Sequence, residues 1–285
     1  RNQLRHPAYA RPELLATGPN QLWTWDITKL RGPVKGRHYY LYVIIDVFSR
    51  YVVGWMIAEQ ESASLAQELI AQSCARQGIQ PGQLTIHADN GGAMTAQSVA
   101  QLMQDLRVNK SHSRPHVPDD NPFSEAQFKT LKYSAAFPGE FSSLAAARQW
   151  LEAFFSWYNH EHHHTGIGLF TPAAVHTGQA VAVQQQREAV MQHAYAAHPE
   201  RFVKGAPILP PLPTAVWINP PRQVGEPITP SGQGETDHVT LVVPVWEDRA
   251  TLESDLSAHI GNGVTGCNGY ETPDGLLHLP CHSVQ

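Results

Sequence analysis

Hydrophobic positions along the chain recur with two periods, and the change from one to the other divides it into elements. From Leu22 to Thr28, Thr24, Asp26 and Thr28 share one face and Trp23, Trp25 and Ile27 the other, which predicts a strand with one polar face. Arg31 to Gly36 carries turn chemistry. His38 to Asp46 and Tyr51 to Ala58 are rich in Tyr, Val and Ile, and the short Phe48-Ser49-Arg50 link predicts an antiparallel hairpin. Ser62 to Gln77 reads as a helix, N-capped by Ser62 and stopped at Gly78. Gln83 to Ala88 predicts a short buried strand ending at Asp89, with a glycine turn at Gly91-Gly92. A helix over Thr95 to Leu106, a strand over Arg107 to Ser111 and a Pro-studded loop over His112 to Pro122 follow. Helices are then expected from Phe123 to Lys132, from Ser142 to Glu161, after the Thr171-Pro172 cap, and from Val183 to Ala197. This order predicts an α/β domain with a mixed sheet over residues 20–180.

Composition narrows the class. With 285 residues, 42% of them hydrophobic and 16% charged, the chain has material for a sizeable core and is not a disordered polypeptide. Its three cysteines, Cys74, Cys267 and Cys281, form no CxxC pair, which excludes a disulfide scaffold and a cysteine-rich zinc module. The longest apolar run, Tyr39 to Ile45, is far short of the roughly 18 residues of a membrane span. No secretory leader opens the chain, so a soluble intracellular protein is expected, without membrane partners.

Charge divides the chain. Residues 223–285 hold Arg249 against nine acidic side chains, whereas residues 1–222 carry 19 basic and 16 acidic ones. A mildly basic part with a net charge of +3 therefore precedes an acidic tail of −8. We expect residues 1–19 to be a polar lead-in, 20–180 the α/β domain, 181–222 a helix with a Pro-rich arm, and 223–285 an acidic tail with one strand over Val239 to Trp246.

Three acidic residues stand where rigid platforms are expected. Asp26 lies on the polar face of the first strand, Asp89 ends the fourth, and Glu125 falls in the first turn of a helix. Such carboxylates, if they converge, form an all-oxygen cage suited to two Mg²⁺ or Mn²⁺ ions and hence to in-line phosphoryl displacement. Taken singly, each has a plainer role as a solvated strand group, a turn former or a helix N-terminal charge. Asp46 reads as a turn residue bonding backbone amides.

Thirty-five residues lie between Asp89 and Glu125. That spacing and the surrounding words resemble the catalytic core of retroviral-integrase-type transposases, the three-carboxylate (DDE) group encoded by bacterial insertion sequences. The words are Trp23-Thr-Trp-Asp26-Ile-Thr, Ile45-Asp-Val-Phe-Ser-Arg-Tyr-Val-Val-Gly-Trp55, Ile86-His-Ala-Asp89-Asn-Gly-Gly, Ser113-Arg-Pro-His-Val, Asp120-Asn-Pro-Phe-Ser-Glu125-Ala-Gln-Phe-Lys-Thr-Leu-Lys132-Tyr, Trp157-Tyr-Asn-His, Thr171-Pro-Ala and His198-Pro-Glu-Arg-Phe-Val203. They run in unbroken order over residues 8–222.

The resemblance implies a ribonuclease-H-like core, a five-stranded mixed sheet flanked by helices, and metal-dependent cutting of a DNA element's ends with their transfer into target DNA. Asp26, Asp89 and Glu125 carry over as catalytic metal ligands for two Mg²⁺ or Mn²⁺ ions. Lys129 and Lys132, at i+4 and i+7 from Glu125, carry over as contacts to the terminal DNA, and Arg114 and His116 are further candidates. The histidines at 160, 162, 163 and 164 have no second ligand cluster, so DNA contact is favoured over zinc. The family also implies a homo-multimer on DNA in a bacterial cytoplasm, associated with the nucleoid when bound. Ser134-Ala135-Ala136 departs from its basic or turn residues, and no helix-turn-helix pair fits before Trp23. End recognition is therefore expected from a separate polypeptide or a missing N-terminal domain. Two alternatives stand beside this reading: a truncated, inactive DNA-binding remnant, and a ribonuclease-H-like nuclease.

Overall fold

The computed structural model describes residues 11–114 and 120–221, all within the first of the two units into which the chain divides, Arg1–Glu226. The strand expected around Asp26 forms as β2 (Leu22–Arg31), and the hairpin as β3 (His38–Asp46) and β4 (Val52–Ala58). Helix α1 (Ala63–Gln77) follows. Its first turn is capped by Ser62 Oγ, which accepts the Leu65 N–H at 3.3 Å, and Gly78 ends it in the left-handed region at φ 62°.

Beyond α1 come β5 (Thr85–Ala88), the single turn α2 (Gly92–Thr95), α3 (Gln97–Asp105) and β6 (Asn109–His112). The glycine pair thus starts one helical turn instead of making a simple loop, and α3 begins two residues later than its pattern suggested. Helix α4 (Pro122–Lys132) opens with proline in its first turn, where no intrahelical donor is lost. Helices α5 (Leu144–His160), α6 (Pro172–His176) and α7 (Ala180–Ala197) complete the helical set, with Ser143 and Thr171 capping α5 and α6.

The five strands lie in the order β4-β3-β2-β5-β6. β2 pairs antiparallel with β3 and parallel with β5, and β5 pairs parallel with β6, so the sheet is mixed. This is the ribonuclease-H-like arrangement that the resemblance implies.

The strand period of two sends side chains to two cores. On one face Trp23, Trp25, Tyr42 and Ile44 pack with Leu69, Ile70 and Cys74 of α1 and Val99 and Met103 of α3. On the other, Leu30, Leu41, Val43 and Ile45 pack with Phe128 and Leu131 of α4 and Leu151, Phe155 and Tyr158 of α5. Gly54 lets α1 approach β4: a Cβ there would stand 2.1 Å from Ser73 Oγ, a side chain with no solvent exposure.

A third cluster joins the extended lead-in to the Pro-rich arm. β1 (Leu14–Ala16) pairs antiparallel with β7 (Val216–Ile218) as a separate two-stranded sheet. Ala16, Val216 and Ile218 pack there against Val47, Phe48, Ile167, Phe170 and Val175. Each strand has three residues, too few for a period to show. The acidic tail and its expected strand lie outside the described residues.

Candidate active site

The polar face of β2 turns toward α4 rather than toward open solvent. Thr24, fully buried, bonds Asn121 Oδ1 through its hydroxyl and stands 3.2 Å from Ser124 Oγ. Four residues along the same face, Thr28 Oγ1 accepts from Lys132 Nζ at 2.6 Å. The strand and helix are therefore pinned at both ends, with Asp26 and Glu125 between the pins. Asn121 Nδ2 also reaches the Trp25 carbonyl at 3.5 Å.

Asp26 and Asp89 come together through strand register. Trp25 and Ala88 are partners across the parallel β2–β5 pair, and each acid is the next residue along its strand direction. Adjacent strands lie about 4.8 Å apart. The Ile27 N–H donates to Asp26 Oδ1 at 2.7 Å, and Ser113 Oγ donates to Asp89 Oδ1 at 2.5 Å. Ser113 is itself fixed, its N–H donating to the Ala88 carbonyl at 3.0 Å and its carbonyl accepting from Asn90 Nδ2 at 2.6 Å.

Burial, opposed by the Ile27 N–H and reinforced by the charges of Asp89 and Glu125, pushes the Asp26 carboxyl up to about 7. Burial lowers Lys132, while the Asp26 charge works against that shift, which places the ammonium in the field of the acids. His87 and His112 are both pulled below the usual imidazole value, chiefly by burial, and are uncharged at neutral pH. Among the described residues, no group of three or more His, Cys, Asp or Glu side chains stands close enough to hold a metal ion. The acids share one field without closing on a common point.

The other sequence candidates fall in different places. Lys129 is exposed on α4, one turn beyond Glu125. Arg114, expected on phosphate, commits Nε (2.9 Å), Nη2 (3.0 Å) and its backbone N–H (2.8 Å) to Asp120. This bidentate pair with a buried carboxylate fixes the planar guanidinium, which stays partly exposed. His116 lies outside the described residues. Asp46 is fully buried and bonds the Ser49 N–H, the Ser49 hydroxyl and the Asn20 N–H, as its turn position suggested. His164 caps a helical turn and is pushed down to about 4, first by burial and then by the nearby Arg50 charge.

Several residues of the site were not singled out from sequence. Thr24 and Ser124 had a signal in their polarity, each standing one or two positions from an acid. Asp120 had only its place at the head of the Asp120-Asn-Pro-Phe-Ser-Glu125 word, which gave it no role. His87 Nδ1 stands 3.1 Å from the Ser111 hydroxyl, its partner across the β5–β6 pair, and Nε2 bonds the carbonyl of Asp120, just ahead of α4, at 2.9 Å.

A mixed five-stranded sheet in the order β4-β3-β2-β5-β6, with one acid on β2, a second just past the end of β5 and a third on α4, defines a ribonuclease-H-like fold. Residues 16–118 match the Integrase core domain family and residues 106–172 a second family of the same description, Integrase core domain. Together the two matches run over residues 16–172, more than half of the chain, which belongs to the integrase-core family.

The chain is 32% identical over 169 residues to the transposase for insertion sequence element IS904 of Lactococcus lactis subsp. lactis, covering 57% of this chain and 66% of that one. Over 161 residues it is 29% identical to the transposase InsF for insertion sequence IS3A of Escherichia coli, covering 56% of this chain and 55% of that one. The chain thus spans between about half and two thirds of the curated relatives it matches. Among solved structures it is similar to a chain of the simian T-cell lymphotropic virus intasome (23% identity, TM-score 0.48, 60% of each chain). Another is the catalytic domain of Mos1 mariner transposase (20% identity, TM-score 0.41, 48% of this chain and 70% of that one).

Proposed function

We propose that this chain is the catalytic core of an insertion-sequence transposase, which cuts the ends of a DNA element and transfers them into target DNA by metal-dependent phosphoryl transfer. The observation that carries the reading is the register of Asp26 and Asp89 on adjacent parallel strands, with α4, the helix that carries Glu125, pinned to the first of those strands through Thr24, Asn121 and Ser124.

The donor set fits Mg²⁺ or Mn²⁺ in chemistry: three carboxylates, oxygen only, with Asp26 held near 7 by burial first and then by crowding with the charges of Asp89 and Glu125. A divalent cation relieves that crowding, and the acids would draw together around it. Asp26, Asp89 and Glu125 would hold two ions, which when bound supply charge stabilisation at the attacking and leaving oxygens of an in-line displacement. The chain's own groups prepare for this. The Ile27 N–H and the Ser113 hydroxyl each fix one oxygen of an acid and so set the direction of the other. Lys132, steadied by Thr28, and the exposed Lys129 present cations to the phosphates of a bound DNA end.

Joining two ends requires more than one copy on DNA, so we read the working form as a homo-multimer, with end recognition supplied by a helix-turn-helix segment or polypeptide outside residues 20–180. No helix among the described residues is long and apolar enough to cross a membrane.

The test is joining of labelled DNA ends, taken from sequences flanking the gene, in Mg²⁺ or Mn²⁺. Joining is expected to require metal, and Glu125→Gln is expected to lower it by at least about 100-fold while thermal unfolding stays unchanged. Near wild-type joining by that variant would remove Glu125 from the mechanism.

A further inference from the structure

Beyond α7 the chain returns to the site. β7 ends at Ile218, and Asn219 follows in the left-handed region at φ 55°. Asn tolerates that conformation better than most residues, yet Pro220 comes next, and a residue before proline is ordinarily extended. Such a conformation persists only where its surroundings hold it, and residues of this kind gather at functional sites. The surroundings here are β7's pairing with β1 and the packing of Val216 and Ile218 in the third cluster.

The backbone turn aims the Asn219 side chain at Asp120, where Nδ2 donates to Oδ1 at 2.8 Å. Asp120 has no solvent exposure and is a junction. Its carboxylate takes the Arg114 side chain and backbone N–H, and its carbonyl takes His87 Nε2. Each neighbour leads to an acid. Arg114 follows Ser113, whose hydroxyl holds Asp89, and Asp120 precedes Asn121, which bonds Thr24 and opens the helix carrying Glu125. The spacing of Asp89 and Glu125 therefore passes through one buried carboxylate, and the arm holds that carboxylate.

We propose that Asn219 is a positioning residue of the transfer reaction: through Asp120 it sets the spacing of Asp89 and Glu125, which makes the arm beyond α7 a working part of the catalytic unit. This rests on the reading of Asp26, Asp89 and Glu125 as metal ligands. Asn219 touches no reacting group, so its loss acts on how the acids close on the ion and leaves the DNA contacts of α4 as they are.

The test uses the full chain with Asn219→Gly and Asn219→Ala. Glycine keeps the left-handed backbone and removes only the amide, so it separates the hydrogen bond from backbone strain and covers the case in which the alanine variant does not fold. Mn²⁺ binding followed by electron paramagnetic resonance, without DNA, is the first readout. The expected result is Mn²⁺ affinity reduced at least about 5-fold in Asn219→Gly, with DNA-end affinity unchanged. Joining should need correspondingly more Mn²⁺ for half-maximal rate and recover at saturating Mn²⁺. Asn219→Gly with wild-type Mn²⁺ affinity would overturn the proposal while leaving the site's assignment in place. A wild-type chain that binds no Mn²⁺, or binds it equally after Glu125→Gln, would bring down the assignment and the proposal with it.

Discussion

At the scale of single residues, the site is held by small polar groups more than by the acids themselves. Ser113 fixes Asp89, Thr24 fixes the helix of Glu125, and the Asp120 carboxylate gathers four donors, three from Arg114 and one from Asn219. Asp120 also gives a pH signature. Burial alone would raise its carboxyl, but the bonds from Arg114 and Asn219 outweigh that and hold it below the usual value. A carboxylate depressed on folding contributes stability that is fully present above its unfolded value, about 3.9, and is lost as pH falls through the folded value. Asp120→Asn is therefore expected to be less stable than wild type by a constant amount above about pH 5, with the gap narrowing below about pH 4. Urea unfolding of both proteins across pH 3–7 measures it, and a gap independent of pH would remove the ionic share of the contact.

The acids were legible in the sequence because each sits at a locally encoded place: a strand face, a strand end, a helix start. Their holders were less so. Nothing near residue 219 in the sequence points to residue 120, because that contact needs the whole chain in place.

At the scale of elements, legibility follows locality again. Helix α1 was readable to within a residue, because Ser62 and Gly78 act on their own turns. The β3–β4 hairpin was readable because its strands are rich in β-branched and aromatic residues and its link is short. Helix α7 forms although Ala180 is the one buried residue it contributes, so its alanine and glutamine propensity carried that expectation more than any apolar stripe. The close packing of α1 on β4 was not readable, since a glycine in a strand does not say what approaches it. Gly54→Ala is expected to cost about 1–3 kcal/mol through the clash with Ser73 Oγ. Adding Ser73→Ala should recover most of that loss in a double-mutant cycle read by chemical denaturation. Additive losses would show that the strand and helix move apart instead.

At the scale of the whole molecule, the net charge of −5 hides a net charge of +3 over residues 1–222. Lys129 and Lys132 stand on the helix that carries Glu125, so any phosphate they bind lies beside the acids. Replacing both with alanine is expected to weaken element-end binding and to reduce the slope of log affinity against log salt by about 2. A titration at several salt concentrations decides it, and an unchanged slope would return both lysines to the solvated surface.

The pairing of β1 with β7 has one more consequence. Leu14 lies opposite Ile218, so the two ends of the core are stitched side by side after a circuit of some two hundred residues. A short loop from Pro220 to Leu14, which keeps Asn219 in place, with new termini opened in the exposed turn at Val34-Lys35-Gly36, would turn that distant pairing into an ordinary hairpin. Such a circular permutant should keep the fold while closing the third cluster through a local contact, a change that stopped-flow refolding would register as faster folding.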